Sequence, residues 1–296
     1  MIRCQNVNKR FLSKHALKDV DLQIKENTIV GLVGSNGAGK TTLLKIIAGC
    51  WRPTSGEVTV LNEKPFDNLF VATNSIFIDD TMVFPEVLTL TEIIESCALF
   101  FPNWDGELAK RLFTYFQFNE DAFYYELSKG RKSTFNALIG LAAHVPLTIF
   151  DEPTTGMDQT TRHDFYRALL KDYLANPRTI IISSHHLEEI EHLIEELIVI
   201  DEGKLFLHLP IDDVREYAIR VQGDKESVEN FVRGRNVIHE EEVGLNNYQV
   251  VVEKEKNIAL AEQIGLKISP VSASEVTVYL TRKKKGVIDD VFRTTS

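Results

Sequence analysis

The chain has 296 residues, of which 44% are hydrophobic and 26% charged, values close to those of ordinary globular proteins. This composition excludes a disordered chain and a fibrous repeat, and at about 150 residues per domain the length predicts two domains. The 33 Lys and Arg residues against 43 Asp and Glu residues give a net charge of −10, which argues against a broad surface for nucleic acid or anionic lipid.

The apolar segments are too short to span a membrane. The longest apolar stretch, residues 137–150, is interrupted by polar residues and falls short of the roughly 20 apolar residues that a membrane helix needs. Residues 1–10 lack the apolar core of a secretion signal. Cys4, Cys50 and Cys97 follow no disulfide or metal-ligand spacing, so we expect three reduced thiols that act as small buried apolar residues.

The N-terminal segment, up to about residue 60, alternates between apolar and polar residues, as strands do. Val20, Leu22 and Ile24 share one face, and Val58 and Val60 repeat the pattern after a run of turn-forming residues. We therefore predict an antiparallel sheet in this part of the chain.

A glycine-rich loop follows an apolar strand predicted over 28–33 and precedes a helix predicted over 40–48. Residues 34–41 fit the pattern G-x-x-x-x-G-K-[ST], in which backbone N–H groups and a helix N-terminus surround phosphate oxygens. Lys40 would reach the β and γ phosphates, and the Thr41 hydroxyl would bind Mg²⁺. A plain glycine turn with a capping Thr is the structural alternative. The predicted phosphate-binding residues are Gly34, Ser35, Asn36, Gly37, Ala38, Gly39, Lys40, Thr41 and Thr42.

Helical periodicity begins near Thr89 and continues to about Phe118, with a break near Pro102. We expect a helical subdomain over about 86–135. Within it, residues 100–104 contain three aromatic side chains, which suit either a core or a surface that binds a partner.

Two short apolar runs, 147–150 and 179–182, have the dense composition of central parallel strands. The first ends in Asp151 and Glu152. In this layout Asp151 holds Mg²⁺ through water, and Glu152 polarises the attacking water. Two acids at a strand end are common, but the phosphate loop upstream favours the catalytic interpretation.

The segment Leu127-Ser128-Lys129-Gly130-Arg131 resembles the Leu-Ser-Gly-Gly-Gln signature of the ATP-binding cassette (ABC) family. Ser128 and Gly130 match the signature, whereas Lys129 and Arg131 depart from it. The resemblance implies that Ser128 and Gly130 bind the γ phosphate of an ATP held by an opposite subunit. Considered alone, Ser128 is equally suited to be a helix N-cap.

The same resemblance assigns further residues. It implies that Phe11 stacks on adenine, that Asp158 ends a loop crossing to the partner subunit, and that His185 contacts the γ phosphate. Asp80 would replace a Gln that contacts Mg²⁺ and the lytic water. The alternatives are a core aromatic for Phe11, a helix cap for Asp158, and a zinc pair formed by His185 with Glu189.

The resemblance implies an α/β P-loop NTPase fold of the ABC type over residues 1–210, with a parallel core sheet, an antiparallel β subdomain and a helical insertion. It further implies an ATPase with ATP and Mg²⁺ as cofactors, and a second nucleotide-binding cassette and transmembrane permease subunits as partners. The chain would then lie at the cytoplasmic face of the cell membrane. Residues 100–105 and the signature lysine are similar to those of bacterial exporters, so we expect export of peptides, drugs or other amphipathic compounds.

The alternative function is that of a soluble ABC-type ATPase in translation, repair or chromosome maintenance. Because both parts of the chain are acidic, no nucleic-acid partner is expected.

Residues 211–296 predict a small C-terminal α+β domain without a catalytic constellation. The predicted strands are 218–221 and 248–252, and the predicted helices lie near 225–232 and 257–264. The residues from Ser272 to Glu275 form a capping-box pattern that predicts the start of a last helix.

Overall fold

The computed structural model describes residues 1–242, 248–254 and 265–281. The chain divides into two compact units, Met1–His208 and Leu209–Ser296. In the described residues no helix has the length and apolar character needed to cross a bilayer.

A six-stranded sheet forms the centre of the first unit. Its strands are β3 (Ile29–Val33), β5 (Ser75–Ile78), β6 (Leu147–Asp151), β7 (Thr179–Ser184), β8 (Glu196–Asp201) and β9 (Lys204–Pro210). The spatial order is β5-β6-β7-β3-β8-β9, and the pairs from β5 to β8 are parallel. Every residue of β3, β6 and β7 is buried, which explains their continuous apolar character and confirms the predicted parallel core.

The second sheet of this unit is antiparallel, as the alternation in the sequence predicted. It consists of β1 (Ile2–Phe11), β2 (Lys14–Ile24) and β4 (Ser55–Val60), in the order β2-β1-β4. Val20, Leu22 and Ile24 point inward and are at most 5% exposed, and Val58 and Val60 are buried on β4 at the other side of β1.

Seven helices are described in the first unit. They are α1 (Lys40–Ile47), α2 (Leu69–Thr73), α3 (Leu90–Phe100), α4 (Gly106–Tyr115), α5 (Lys129–Ala142), α6 (Gln159–Ala175) and α7 (Leu187–Ile190). α3 and α4 account for the helical periodicity that begins near Thr89, and the chain leaves the helix at Phe101, next to Pro102, as predicted. Thr89 and Glu92 form a capping box at the start of α3.

The second unit is an α+β unit. Its elements are α8 (Ile211–Arg215), β10 (Ala218–Gly223), α9 (Lys225–Val232), β11 (Val237–Glu242), β12 (Tyr248–Glu253), β13 (Lys267–Pro270) and α10 (Ala273–Thr281). The sheet order β11-β12-β10-β13, with antiparallel neighbours throughout, is that of a split βαβ fold. Ser272 and Glu275 exchange the two hydrogen bonds of a capping box before α10, at 3.1 and 3.2 Å. The helix predicted near 257–264 lies outside the described residues.

The expectation for the cysteines was wrong at one position. Cys4 is buried and Cys97 is partly buried, but Cys50 is exposed. α1 ends at Ile47, so Cys50 lies in the turn that follows the helix and not on its apolar face.

Candidate functional site

The phosphate loop joins β3 to α1 and borders a cavity of about 280 Å³. Gly37 and Gly39 both have positive φ, and a Cβ on Gly39 would lie 2.7 Å from the Ala16 carbonyl oxygen, so that position requires glycine. The Lys40 ammonium donates to the Gly34 carbonyl at 2.7 Å. The described residues that line the cavity are Phe11, Lys14, Ala16, Ser35, Asn36, Gly37, Gly39, Lys40, Thr41, Thr42 and Glu152.

Phe11 lies at the mouth of this cavity. Its side chain is 40% exposed, with an edge-on contact to Trp51 at a centroid distance of 5.2 Å. An exposed ring beside the phosphate loop suits stacking on a planar base better than it suits a core position.

The acidic residues lie where the parallel strands end. Asp151 is only 6% exposed and accepts a hydrogen bond from the Ser183 hydroxyl on the neighbouring strand. Burial raises the pKa of Asp151, although hydrogen bonds from Ser183 and Thr41 act in the opposite direction. A carboxylate beside a Thr hydroxyl is a donor set that suits Mg²⁺, which takes few protein ligands and keeps several waters. Thr41 and Asp151 therefore fit the ion.

Glu152 connects the phosphate loop to His185. One carboxylate oxygen lies 3.4 Å from the Lys40 ammonium, and the other lies 3.5 Å from Nδ1 of His185. Glu152 has a φ of +49°, and its backbone N–H donates to the Ser183 hydroxyl at 2.9 Å. Its carboxylate is thus held at the end of the cavity, where a general base would be needed.

Asp80 does not join Glu152, Lys40 and His185 at the cavity. Its side chain is 52% exposed and lies 3.4 Å from the Lys129 ammonium. The neighbouring Asp79 is only 9% exposed and lies beside Asp151, because β5 pairs Ile78 with Phe150 and each aspartate is the next residue. Asp79 was not among the residues predicted for the site, although the apolar run of β5 ends at Ile78 and this end is the signal that identifies Asp79.

The signature segment begins α5. The Ser128 hydroxyl accepts from the Arg131 N–H at 3.4 Å, so Ser128 is an N-cap in this structure. A Cβ on Gly130 would lie 2.1 Å from the Gly156 carbonyl oxygen, which shows how tightly the segment packs against the loop after Glu152. Neither Ser128 nor Gly130 is among the described residues that line the cavity.

Asp158 caps α6 by accepting hydrogen bonds from the N–H and the hydroxyl of Thr161, at 2.9 and 2.7 Å. These bonds lower the pKa of Asp158. The zinc alternative lacks support, because Glu189 pairs with Arg162 and not with His185. Within the described part of the chain no group of three or more His, Cys, Asp or Glu side chains is placed to hold a metal ion.

Comparison with known proteins agrees with this geometry. A family model described as ABC transporter matches residues 17–155. Among solved structures, an ATP-binding subunit of an ABC transporter superposes with a TM-score of 0.65 at 24% identity, over 73% of this chain and 92% of that one.

This chain aligns with most of the length of three related proteins. The ABC transporter ATP-binding protein YtrB of Bacillus subtilis is 28% identical over 86% of this chain and 87% of its own. The lantibiotic transport ATP-binding protein SrtF of Streptococcus pyogenes is 27% identical, over 72% and 92%. The Nod factor export ATP-binding protein I of Burkholderia orbicola is 31% identical over 211 residues, 68% of this chain and 67% of its own. The chain therefore belongs to the ABC transporter family as an ATP-binding subunit, and it is an ATPase.

Proposed function

We propose that this ATPase drives a separate membrane permease and that the assembly exports peptides, drugs or other amphipathic compounds. The observation that carries the proposal is the division of the site. Phosphate loop, Glu152 and Phe11 line one cavity, while the signature residues Ser128 and Gly130 lie outside it. A cassette with this division needs a second cassette to complete each ATP site.

Within one cassette the residues have distinct tasks. The loop N–H groups and Lys40 bind the β and γ phosphates, and the ring of Phe11 stacks on adenine. Thr41 and Asp151 would hold Mg²⁺, which would neutralise charge on the phosphate oxygens. Glu152 accepts a proton from the attacking water. The ring of His185, whose Nδ1 faces Glu152, presents Nε2 to a γ-phosphate oxygen.

In the proposed dimer each cassette supplies its signature to the ATP of the other. The first turn of α5, which follows Ser128, has N–H groups without helical partners and a partial positive charge, which suit a γ phosphate. Asp158, exposed at the start of α6, would lie at the same interface.

Two observations support a partner in the membrane. Leu99 and Phe100 are 91% and 51% exposed and adjacent, so the end of α3 presents an apolar pair to its surroundings. By contrast Phe101 is buried and stacks on Trp104 at 6.5 Å, so this part of the aromatic segment belongs to the core. We propose that Leu99 and Phe100 contact the permease. Two relatives are named for export or for transport of a lantibiotic, which supports the export direction and an amphipathic cargo.

The proposal is tested by fractionating the cells from which the chain comes after expression of a tagged copy at native level. We expect the chain in washed membranes, and a double Leu99→Ser, Phe100→Ser variant should shift to the supernatant. Leu174→Ser, which changes another exposed leucine (70% exposed) on α6, is the matched control and should stay with membranes. If the parent chain instead sediments with ribosomes or chromosomal DNA, the alternative function replaces this one.

A further inference from the structure

We propose that Lys45 is a positioning residue of the ATP site: its ion pair with Asp79 restrains that carboxylate near the magnesium position, and Mg²⁺ arriving with ATP competes with Lys45 for it. The inference rests on the ATP site described above and adds to it a residue pair that neither the phosphate loop nor the signature contains.

Lys45 lies on α1, more than one helical turn beyond Lys40. Its side chain is 18% exposed, and its ammonium lies 3.0 Å from one carboxylate oxygen of Asp79. The same ammonium lies over the rings of Trp51 and Phe77, at 5.4 and 5.7 Å from their centroids. Aromatic faces attract a cation, so two rings and a carboxylate hold this ammonium in one place.

Asp79 is positioned to interact with the ion as well as with Lys45. Because β5 and β6 are parallel and Ile78 pairs with Phe150, Asp79 follows β5 where Asp151 ends β6. Burial is the main cause of the raised pKa of Asp151, and the negative charge of Asp79 adds to it. Mg²⁺ bound by Asp151 would therefore attract the Asp79 carboxylate, which lies at the same edge of the sheet.

The segment that starts at Asp79 is also attached to α5, the helix that carries the signature. The Asn136 side-chain amide donates to the Asp79 carbonyl at 3.3 Å, and the Tyr124 hydroxyl donates to the Met82 carbonyl at 3.2 Å. Phe84 packs edge-on against Tyr124 at 4.9 Å. A movement of Asp79 away from Lys45 would therefore be transmitted to the signature helix through these contacts.

The test measures binding of the non-hydrolysable ATP analogue AMP-PNP by the full chain, with Mg²⁺ and with EDTA. The readout is the ratio of the two affinities, which does not require turnover. In Lys45→Met the Asp79 carboxylate loses its competing cation, so the ratio should rise by at least about fivefold. The affinity in EDTA should fall, because the negative charge of Asp79 is then no longer offset by the Lys45 ammonium.

Three further variants make the test specific. Lys45→Arg keeps the charge and should keep the ratio of the parent. Asp79→Asn should lower the ratio, and adding Lys45→Met to it should change nothing more. Lys110→Met, which removes an exposed lysine of α4, is the control for loss of one charge. Thermal unfolding of each variant identifies any that fails to fold, in which case Lys45→Gln replaces Lys45→Met.

A ratio unchanged within about twofold in Lys45→Met, or an equal change in the Asp79→Asn background, overturns the inference while leaving the ATP site intact. Failure of the parent chain to bind AMP-PNP under either condition would instead overturn the ATP site itself, and the inference with it.

Discussion

Asp151 illustrates a side chain whose ionisation is unfavourable in the folded chain. Burial raises its pKa above the usual value, and two hydroxyl hydrogen bonds only partly offset the effect. A group with a raised pKa contributes stability below its ordinary pKa and loses that contribution as the pH rises through the raised value. At neutral pH the ionised carboxylate therefore costs stability, which Mg²⁺ binding recovers.

We expect Asp151→Asn to raise the Tm of the chain at neutral pH by about 2–4 °C, the shift that 1 kcal/mol gives in a unit of this size. The amide keeps an oxygen that can accept from Ser183 and removes the buried charge. Calorimetry without Mg²⁺ checks the gain, which should shrink as the pH is lowered and the parent carboxylate takes up its proton. The variant should also lose the Mg²⁺-dependent part of nucleotide binding. A lower Tm at neutral pH would contradict the argument.

Substitution of Gly130 tests how tightly the signature segment packs against the loop that contains Gly156. Because an added Cβ would lie 2.1 Å from a backbone carbonyl oxygen, Gly130→Ala should lower the free energy of unfolding by about 1–3 kcal/mol. Gly106→Ala is the control, since its Cβ would meet only the Trp104 ring at 3.9 Å, and it should be neutral or slightly stabilising. Urea unfolding of both variants measures the difference. Equal effects of the two substitutions would refute a steric cause.

At the scale of elements, Arg131 explains one departure of this chain from the family signature. Its guanidinium donates to the Phe116 and Gln117 carbonyls just after α4, at 2.5 and 2.8 Å, and lies over the Phe118 ring at 4.1 Å. The side chain thus satisfies carbonyls that α4 leaves without helical partners and ties α4 to the start of α5.

Replacing Arg131 by Gln, the residue of the family signature, should therefore lower the free energy of unfolding by about 1–2 kcal/mol, because the carbonyl contacts and the ring contact are lost. Lys129→Gln should cost less than ~1 kcal/mol, since the exposed Lys129–Asp80 pair is screened by water. Chemical denaturation compares the two. A larger loss for Lys129 would show that the exposed pair matters more than the α4 contacts.

The sequence was most informative where one physical requirement dominates. Burial on both faces made β6 and β7 recognisable, and the turn geometry at Gly39 made the phosphate loop recognisable. The family resemblance selected Asp80, whereas in the structure Asp79 directly follows β5 and Asp80 pairs with Lys129. The end of the apolar run at Ile78 marks where the strand stops, but the neighbour that Asp79 then meets depends on the pairing register between β5 and β6, which the local pattern does not contain.

Contacts across long sequence separations could not be predicted. The bond from Arg131 to the end of α4 and the ion pair between Lys45 and Asp79 join elements that are distant in sequence. Each depends on packing that only the folded chain defines. The order of the six-stranded sheet likewise depends on tertiary connections.

At the scale of the whole molecule, the proposed function depends on a second chain. The chain's own Ser128 does not line the cavity beside the phosphate loop, so the ATP site that we propose needs the signature of a second cassette. Glu152→Gln should stabilise such a pair, because an amide cannot accept the proton of the attacking water and ATP is then retained.

The most direct measurement is sedimentation velocity of the Glu152→Gln chain with saturating ATP and Mg²⁺. We expect two 33.6 kDa copies to form a dimer that is absent without nucleotide. We expect a monomer when Ser128→Asp is combined with Glu152→Gln. Asp preserves the N-cap of α5 but places a negative charge against the partner's triphosphate. A chain that stays single with ATP bound, or a dimer that is indifferent to Ser128→Asp, would contradict the proposed function.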